Sequence, residues 1–279
     1  SYRRIRLKAF VRPDQIKDPA AVSFPDSSKV VTQAVELTWP RNELYGLLWQ
    51  YLANESTTKD DIFRKGCEKL SVAEWIQEDR VWTVPEILRN DEDAQRNVFH
   101  AMTGPWMGQD RRRGFPYTWL PNHLNDAQRQ VSPRSFLAAL RHAATKKPRI
   151  EQSYALHYED IKRGVQEASE IRVREIQEDY PWVDIPMKPL SGIVVPCAFE
   201  EIKNLWNRHK VLQQLKRTIE TKGVRLPPAN LEDGLPGVCE DLLGLGLFER
   251  LSDDRLNLPD VYRVGYGIGR RGGVKPVAK

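Results

Sequence analysis

The side chains best placed to do chemistry in this sequence are arginines. Arg111, Arg112 and Arg113 stand in a row among Trp106, Met107, Phe115, Tyr117, Trp119 and Leu120. Guanidinium forks beside aromatic rings suit phosphate groups, as an arginine finger or a nucleic-acid backbone contact, and they equally suit a solvated loop, since runs of charge usually stay in water. Arg134 follows Ser132-Pro133, a helix-start signature. An arginine at a helix N-terminus can meet an anion or simply lie in solvent.

Other chemistries find less support. Cys67, Cys197 and Cys239 fall in no CxxC or Cys/His ligand spacing, and His100, His123, His142, His157 and His209 share none either. Free buried thiols and ordinary histidines are expected, with no metal site. No Ser or Cys lies in a nucleophile elbow. The phosphate-cradling Walker A pattern GxxxxGK[ST] is missing, so the chain alone is not expected to hydrolyse ATP. Gly267, Gly269 and Gly272 satisfy GxGxxG, but no helix or βαβ pattern surrounds them. Pro13-Asp14 and Pro25-Asp26 are not followed by the Asp/Glu-x-Lys strand of a Mg²⁺ nuclease. No catalytic residue is assigned.

The elements that must position the arginines are mainly helical. Residues 3 to 12 alternate, with Ile5, Leu7, Ala9 and Val11 against Arg4, Arg6, Lys8 and Arg12, which predicts a strand ending at Pro13. Residues 30 to 37 suggest a short extended piece. Trp39-Pro40 introduces a helix with Leu44, Leu47, Leu48, Tyr51 and Leu52 on its core face. Further helices are predicted over 65 to 75 and 91 to 102, then a long loop over 104 to 131. Ser132 as N-cap, Pro133 at N1 and the stripe Phe136, Leu137, Leu140 and Ala144 predict a helix to about residue 144. A long charged helix is expected over about 158 to 177.

Helices over 199 to 208, 211 to 221 and 237 to 243 precede a hairpin of 247 to 251 and 256 to 262. This is the order of a winged helix. The fold class is therefore mainly α with a small β component, a helical lid-like region followed by a C-terminal winged-helix domain. The expected domains are 1–150 and 151–279, at about the one-to-two-hundred-residue size of ordinary domains. Residues 265 to 279 read as a basic tail, mobile at its end.

Hydrophobic residues at 40% and charged ones at 29% predict a folded globular protein. No run approaches the roughly 18 apolar residues of a membrane span, and no signal-peptide core follows Ser1, so a cytoplasmic setting without membrane is expected. The sequence starts at Ser1, first shows Met at Met102 and opens on a strand pattern. That start is expected of a piece of a longer protein. The net charge of +5 suits a polyanionic partner by a thin excess, 43 basic residues against 38 acidic ones. The last predicted helix carries Glu240 and Asp241, which phosphates would repel, whereas Lys216 and Arg217 on the preceding helix, with Lys210, Lys222 and Arg225, offer a better basic surface. Arg263, Arg270 and Arg271 around Tyr262 and Tyr266 are further nucleic-acid candidates, along with Arg111, Arg112 and Arg113.

Three stretches taken in order, RLKAFVRPD from Arg6 to Asp14, VSPRSFL from Val131 to Leu137, and LGLGLFER from Leu243 with RLNLPDVYR from Arg255, resemble the C-terminal part of P-loop ATPases. The likeness is to those of the STAND, KAP and origin-recognition kind, often found in prokaryotic conflict or defence systems. It implies that strand 3 to 12 is a late strand of the ATPase sheet, with Arg12 toward the nucleotide phosphate. Arg134 resembles the sensor arginine that the lid brings to the γ-phosphate. ATP and Mg would belong to the parent and no cofactor to this chain. The implied function is a regulatory and interaction module, with the remainder of the ATPase as partner and with DNA, a second copy or other subunits left open. Walker A, Walker B and most of the sheet lie outside the resemblance, so the pairing of residues 1 to 12 stays open. The alternative is a self-sufficient winged-helix DNA-binding protein, and an enzyme with an unfamiliar site ranks third.

Overall fold

A computed structural model describes residues 8–11, 23–55, 61–72, 74–146 and 153–276, with backbone alone at Lys222. The chain divides into two units, Ser1–Thr38 and Trp39–Lys279. In the first, helix α1 (Ser27–Val31) has no buried residue. A left-handed Asp26 starts this turn and pairs with Lys29, so the extended piece expected from residue 30 begins instead as helix. The strand expected over 3 to 12 is described only at residues 8–11, where no strand forms and Phe10 is 86% exposed. A lone alternating segment gains no ladder hydrogen bonds until a neighbour supplies them.

The second unit is mainly helical with small two-stranded sheets. Its first part holds α2 (Arg41–Asn54), α3 (Ile62–Glu68), the hairpin β1 (Ile76–Glu78) and β2 (Val81–Thr83), α4 (Glu86–Asn90) and α5 (Glu92–Thr103). Then follow α6 (Pro116–Leu124), α7 (Pro133–Ala144) and the long α8 (Tyr158–Asp179). The helix expected over 65 to 75 ends early, because Ser71 turns left-handed and the chain enters the hairpin. Tyr45 lies at the centre of this core, stacked on Tyr117 at 4.3 Å and edge-on to Phe99 and Phe136 at 4.9 and 5.1 Å. Edge and stacked geometries both favour aromatic rings.

Helix α6 occupies the stretch expected as loop. Its interior Pro121 has no N–H to give to the carbonyl of Tyr117. The Tyr45 hydroxyl donates to that carbonyl instead, at 2.9 Å. Tyr117 in turn donates to Gln95 at 2.7 Å, and the fully buried Gln95 donates to the carbonyl of Leu88. Every polar atom in this chain of bonds finds a partner, which a dry core requires.

Helix α8 is the spine of the unit. Ile161, Val165 and Ala168 belong to the first core, and Val173 and Ile176 to a second. Gly164 lets α7 lie close against it, since a Cβ there would stand 2.2 Å from the carbonyl oxygen of Ala139.

The second core gathers α9 (Asp184–Met187), β3 (Val194–Val195), α10 (Phe199–Arg208), α11 (Val211–Lys222) and α12 (Gly234–Gly244). It also takes in β5 (Leu256–Asn257) and α13 (Asp260–Arg263), whereas β4 (Glu249–Arg250) and β6 (Gly269–Arg270) follow the core residues Phe248 and Ile268. Trp206 is fully buried and donates to the carbonyl of Pro186 at 2.7 Å, and Trp182 donates to that of Leu226 at 2.9 Å. Strands β4 and β5 form the expected hairpin, and Cys197 bridges Leu256 on its other side. The second strand is shorter than expected, because Pro259 turns the chain into α13.

The C-terminal stretch is anchored as far as it is described. Strand β6 pairs parallel with β3, Ile268 is fully buried, and Val274 packs in the first core.

Candidate functional site

The α7 N-terminus is built by the loop before it. Asn125 and Val131 form an antiparallel bridge, and Asp126 accepts from the N–H groups of Gln128 and Gln130 at 3.0 and 2.9 Å. Burial pushes the Asp126 carboxyl up, against those bonds. Ser132 occupies the cap position without a side-chain capping bond, and Pro133 opens the helix. Arg134 then projects with its side chain 75% exposed and donates from Nη1 to Glu175 Oε1 on α8 at 2.9 Å.

Glu175 holds a second guanidinium. Arg172 lies 3.3 Å from Oε2 and 5.6 Å from the centre of the Tyr262 ring. Burial opposes the charge on Arg172, but Tyr262, Glu175 and Asp126 outweigh it and keep this arginine cationic. One half-buried carboxylate therefore bridges an inner and an outer arginine. The outer pair sits in water, where such contacts contribute little and exchange readily. Arg134 can leave for an anion while Arg172 still neutralises Glu175.

Arg111, Arg112 and Arg113 form a 3-10 turn. Asp110 accepts from the Arg112 N–H at 2.8 Å, and Met107 N–H bonds Gly114 O at 2.9 Å, closing the loop over the buried Met107. Trp106 stacks on Phe115 at 5.0 Å, with the Arg96 guanidinium 5.2 Å from the same ring. The three arginines are exposed and form no ion pair among the described residues. The aromatic residues of this stretch thus brace the loop.

Arg263 does not belong on a nucleic-acid surface. Its side chain is fully buried; Nε donates to Asp260 at 2.8 Å, Nη1 to Ile268 O at 2.9 Å and Nη2 to Val274 O at 2.6 Å. A planar fork with five N–H donors can meet three acceptors at once, and here it staples the tail to α13. Gly273 permits this closure, since a Cβ there would approach Asp260 Oδ2 to 3.1 Å and Arg263 Nη2 to 3.5 Å. Arg270 lies 3.6 Å from Asp260, and Arg271 is exposed beside it. The Asp260-x-x-Arg263 spacing was the signal in the sequence for this pair.

His123 faces the same carboxylate. Its ring stacks on Trp119 at 3.8 Å, Nδ1 donates to Trp119 O at 2.7 Å, and Nε2 lies 3.6 Å from Asp260 Oδ2. Burial lowers its pKa despite that neighbour. Lys216 and Arg217 stand exposed and adjacent on α11, with no ion pair among the described residues. Arg12 lies outside the described residues. The fold thus joins Arg263 to Arg270 through Asp260, whereas Arg134 meets Arg172 and Glu175, two residues the motifs did not single out.

A cavity of about 600 Å³ lies in the first part of the unit, lined by Phe63, Arg64, Cys67, Trp82, Val98 and Met102 among others. The Arg64 guanidinium stacks 4.0 Å from the Trp82 ring and is engaged by Asp61 and the carbonyl of Ala53. Among the described residues no group of three or more His, Cys, Asp or Glu side chains is placed to hold a metal ion. No described helix is long and apolar enough to cross a membrane. No family model matches the chain, and neither the curated proteins nor the solved structures show a significant match to it.

Proposed function

We propose that the chain is a regulatory and interaction module of a P-loop ATPase, working in the cytoplasm as part of a prokaryotic conflict or defence system. Arg134 carries the reading. It stands at an exposed helix start, held by a carboxylate that a second arginine already neutralises. An arginine so held can move to a γ-phosphate and offset the charge that develops there. ATP and Mg would be bound by the Walker A and Walker B core and not by this chain. The N-terminal unit supports the same reading, since Phe10, Val35 and Leu37 are 86%, 81% and 71% exposed and suit burial against a further part of the ATPase.

The test is ATP turnover by the complete ATPase carrying Arg134→Ala. A sensor or finger arginine supplies on the order of 10³-fold or more in kcat, so turnover should fall by that order. Wild-type turnover in the variant would remove the proposal.

A second reading, a self-sufficient winged-helix DNA-binding protein, is favoured by one observation. Cys197, Leu256 and Arg250 pair side by side and antiparallel, with α10, α11 and α12 between Cys197 and Arg250 in the chain, in the strand order of a winged helix. Salt-dependent binding of duplex DNA by the chain alone is its test.

A further inference from the structure

Helices α10 and α11 are joined by only His209 and Lys210, with Lys210 left-handed at φ 53°. Ile202, Trp206, Val211 and Leu215 bury one side of the pair. The opposite side of α11 exposes Gln213, Gln214, Lys216, Arg217, Glu220 and Thr221. The end of α10 and the connection add exposed Asn207, Arg208, His209 and Lys210; residues 202 to 219 contain no acidic side chain, and Glu220 is the one carboxylate on α11. Amide, guanidinium and ammonium groups along one helix face are the donors that base edges and phosphates accept.

The other elements near the hairpin are spoken for. Helix α12 exposes Pro236, Glu240 and Gly244, and Glu240 pairs with Arg250 at 2.6 Å. At the hairpin tip Arg255 pairs with Asp253 at 2.8 Å, beside an exposed Asp254. Their cations are neutralised and their free charges are negative. Arg208, Lys210, Lys216 and Arg217 form no ion pair among the described residues.

We infer that α10, the His209-Lys210 turn and α11 act as a helix-turn-helix that lays the Gln213, Lys216 and Arg217 face of α11 into the major groove of duplex DNA, with the Lys216 and Arg217 cations on the phosphates that border it. The α11 helix, at 12 residues, is about 18 Å long, and a helix with its side chains, about 10–12 Å across, fits the B-form major groove of about 12 Å. The deep, narrow major groove of duplex RNA would not admit it. The inference rests on the reading that this part of the chain contacts nucleic acid, and it names the element and the partner.

Fluorescence anisotropy of the full chain with a labelled mixed-sequence DNA duplex, over a series of KCl concentrations, tests it. Removing one cation from a phosphate lowers the slope of log K against log salt by about 0.9, so Lys216→Gln with Arg217→Gln should lower it by about 1.8. Arg174→Gln with Lys188→Gln, two exposed cations already paired with Glu170 and Asp184, should leave it unchanged, and circular dichroism should show both variants folded, because all four side chains lie outside the core. If the wild-type chain binds no duplex DNA, the nucleic-acid reading falls and the inference with it. If it binds, but the Lys216/Arg217 variant keeps its slope or duplex RNA binds equally well, the inference alone is overturned.

Discussion

Replacing Arg263 by alanine removes one partner of a fully buried ion pair and frees two buried carbonyls, those of Ile268 and Val274. Breaking a buried pair from one side costs about 3–5 kcal/mol, because the remaining charge is stranded. Asp260 would not be wholly stranded here, since Arg270 and His123 each lie 3.6 Å away. That compensation moves the pair toward the lower figure, while each carbonyl left without a donor adds about 1 kcal/mol or more. The expected loss is therefore about 3–5 kcal/mol, on the order of 10 °C in Tm for a unit of this size. Urea unfolding followed by tryptophan fluorescence reads it, since Trp182 and Trp206 are buried in the second core. Arg263→Met combined with Asp260→Asn should be less destabilised than the sum of the single changes, because the cycle removes both charges together. A loss below about 1 kcal/mol for Arg263→Ala, or strict additivity in the cycle, would refute the staple.

Two further expectations follow from burial. The thiols of Cys67 and Cys239 are pushed up to about 12 and that of Cys197 to about 11 by burial, so native protein at about pH 8 should resist iodoacetamide and label only in denaturant; native labelling of any of the three would contradict their placement. Burial also lowers His123 and His100 from the ordinary 6.5. The unfolded chain then takes up the proton first, so the stability these residues contribute is complete above about pH 6.5 and is lost as the pH falls through the lower folded values. Urea midpoints between about pH 7.5 and 5.5 should fall less steeply in His123→Asn than in wild type, and identical slopes would show that His123 is not the group involved.

Local signals settled much of the helical frame. Ser132-Pro133 and the stripe behind it place α7, and the charged periodic run ended by Tyr180-Pro181 places α8. The terminal hairpin was likewise legible from residue types and spacing. These features depend on caps, periodicity and turn chemistry within a few residues, which a sequence displays directly.

Only the tertiary structure decided the rest, because the deciding partners are distant in the chain. Helix α6 survives Pro121 because Tyr45 supplies the hydrogen bond that the proline cannot give. Arg134 acquires its setting from Glu175 and Arg172 on another helix, and Arg263 becomes a buried staple because main-chain carbonyls at 268 and 274 fold back over it. An arginine's charge can be read from its letter. Whether that charge is spent on the protein's own acceptors or left for a phosphate depends on what the fold packs around it.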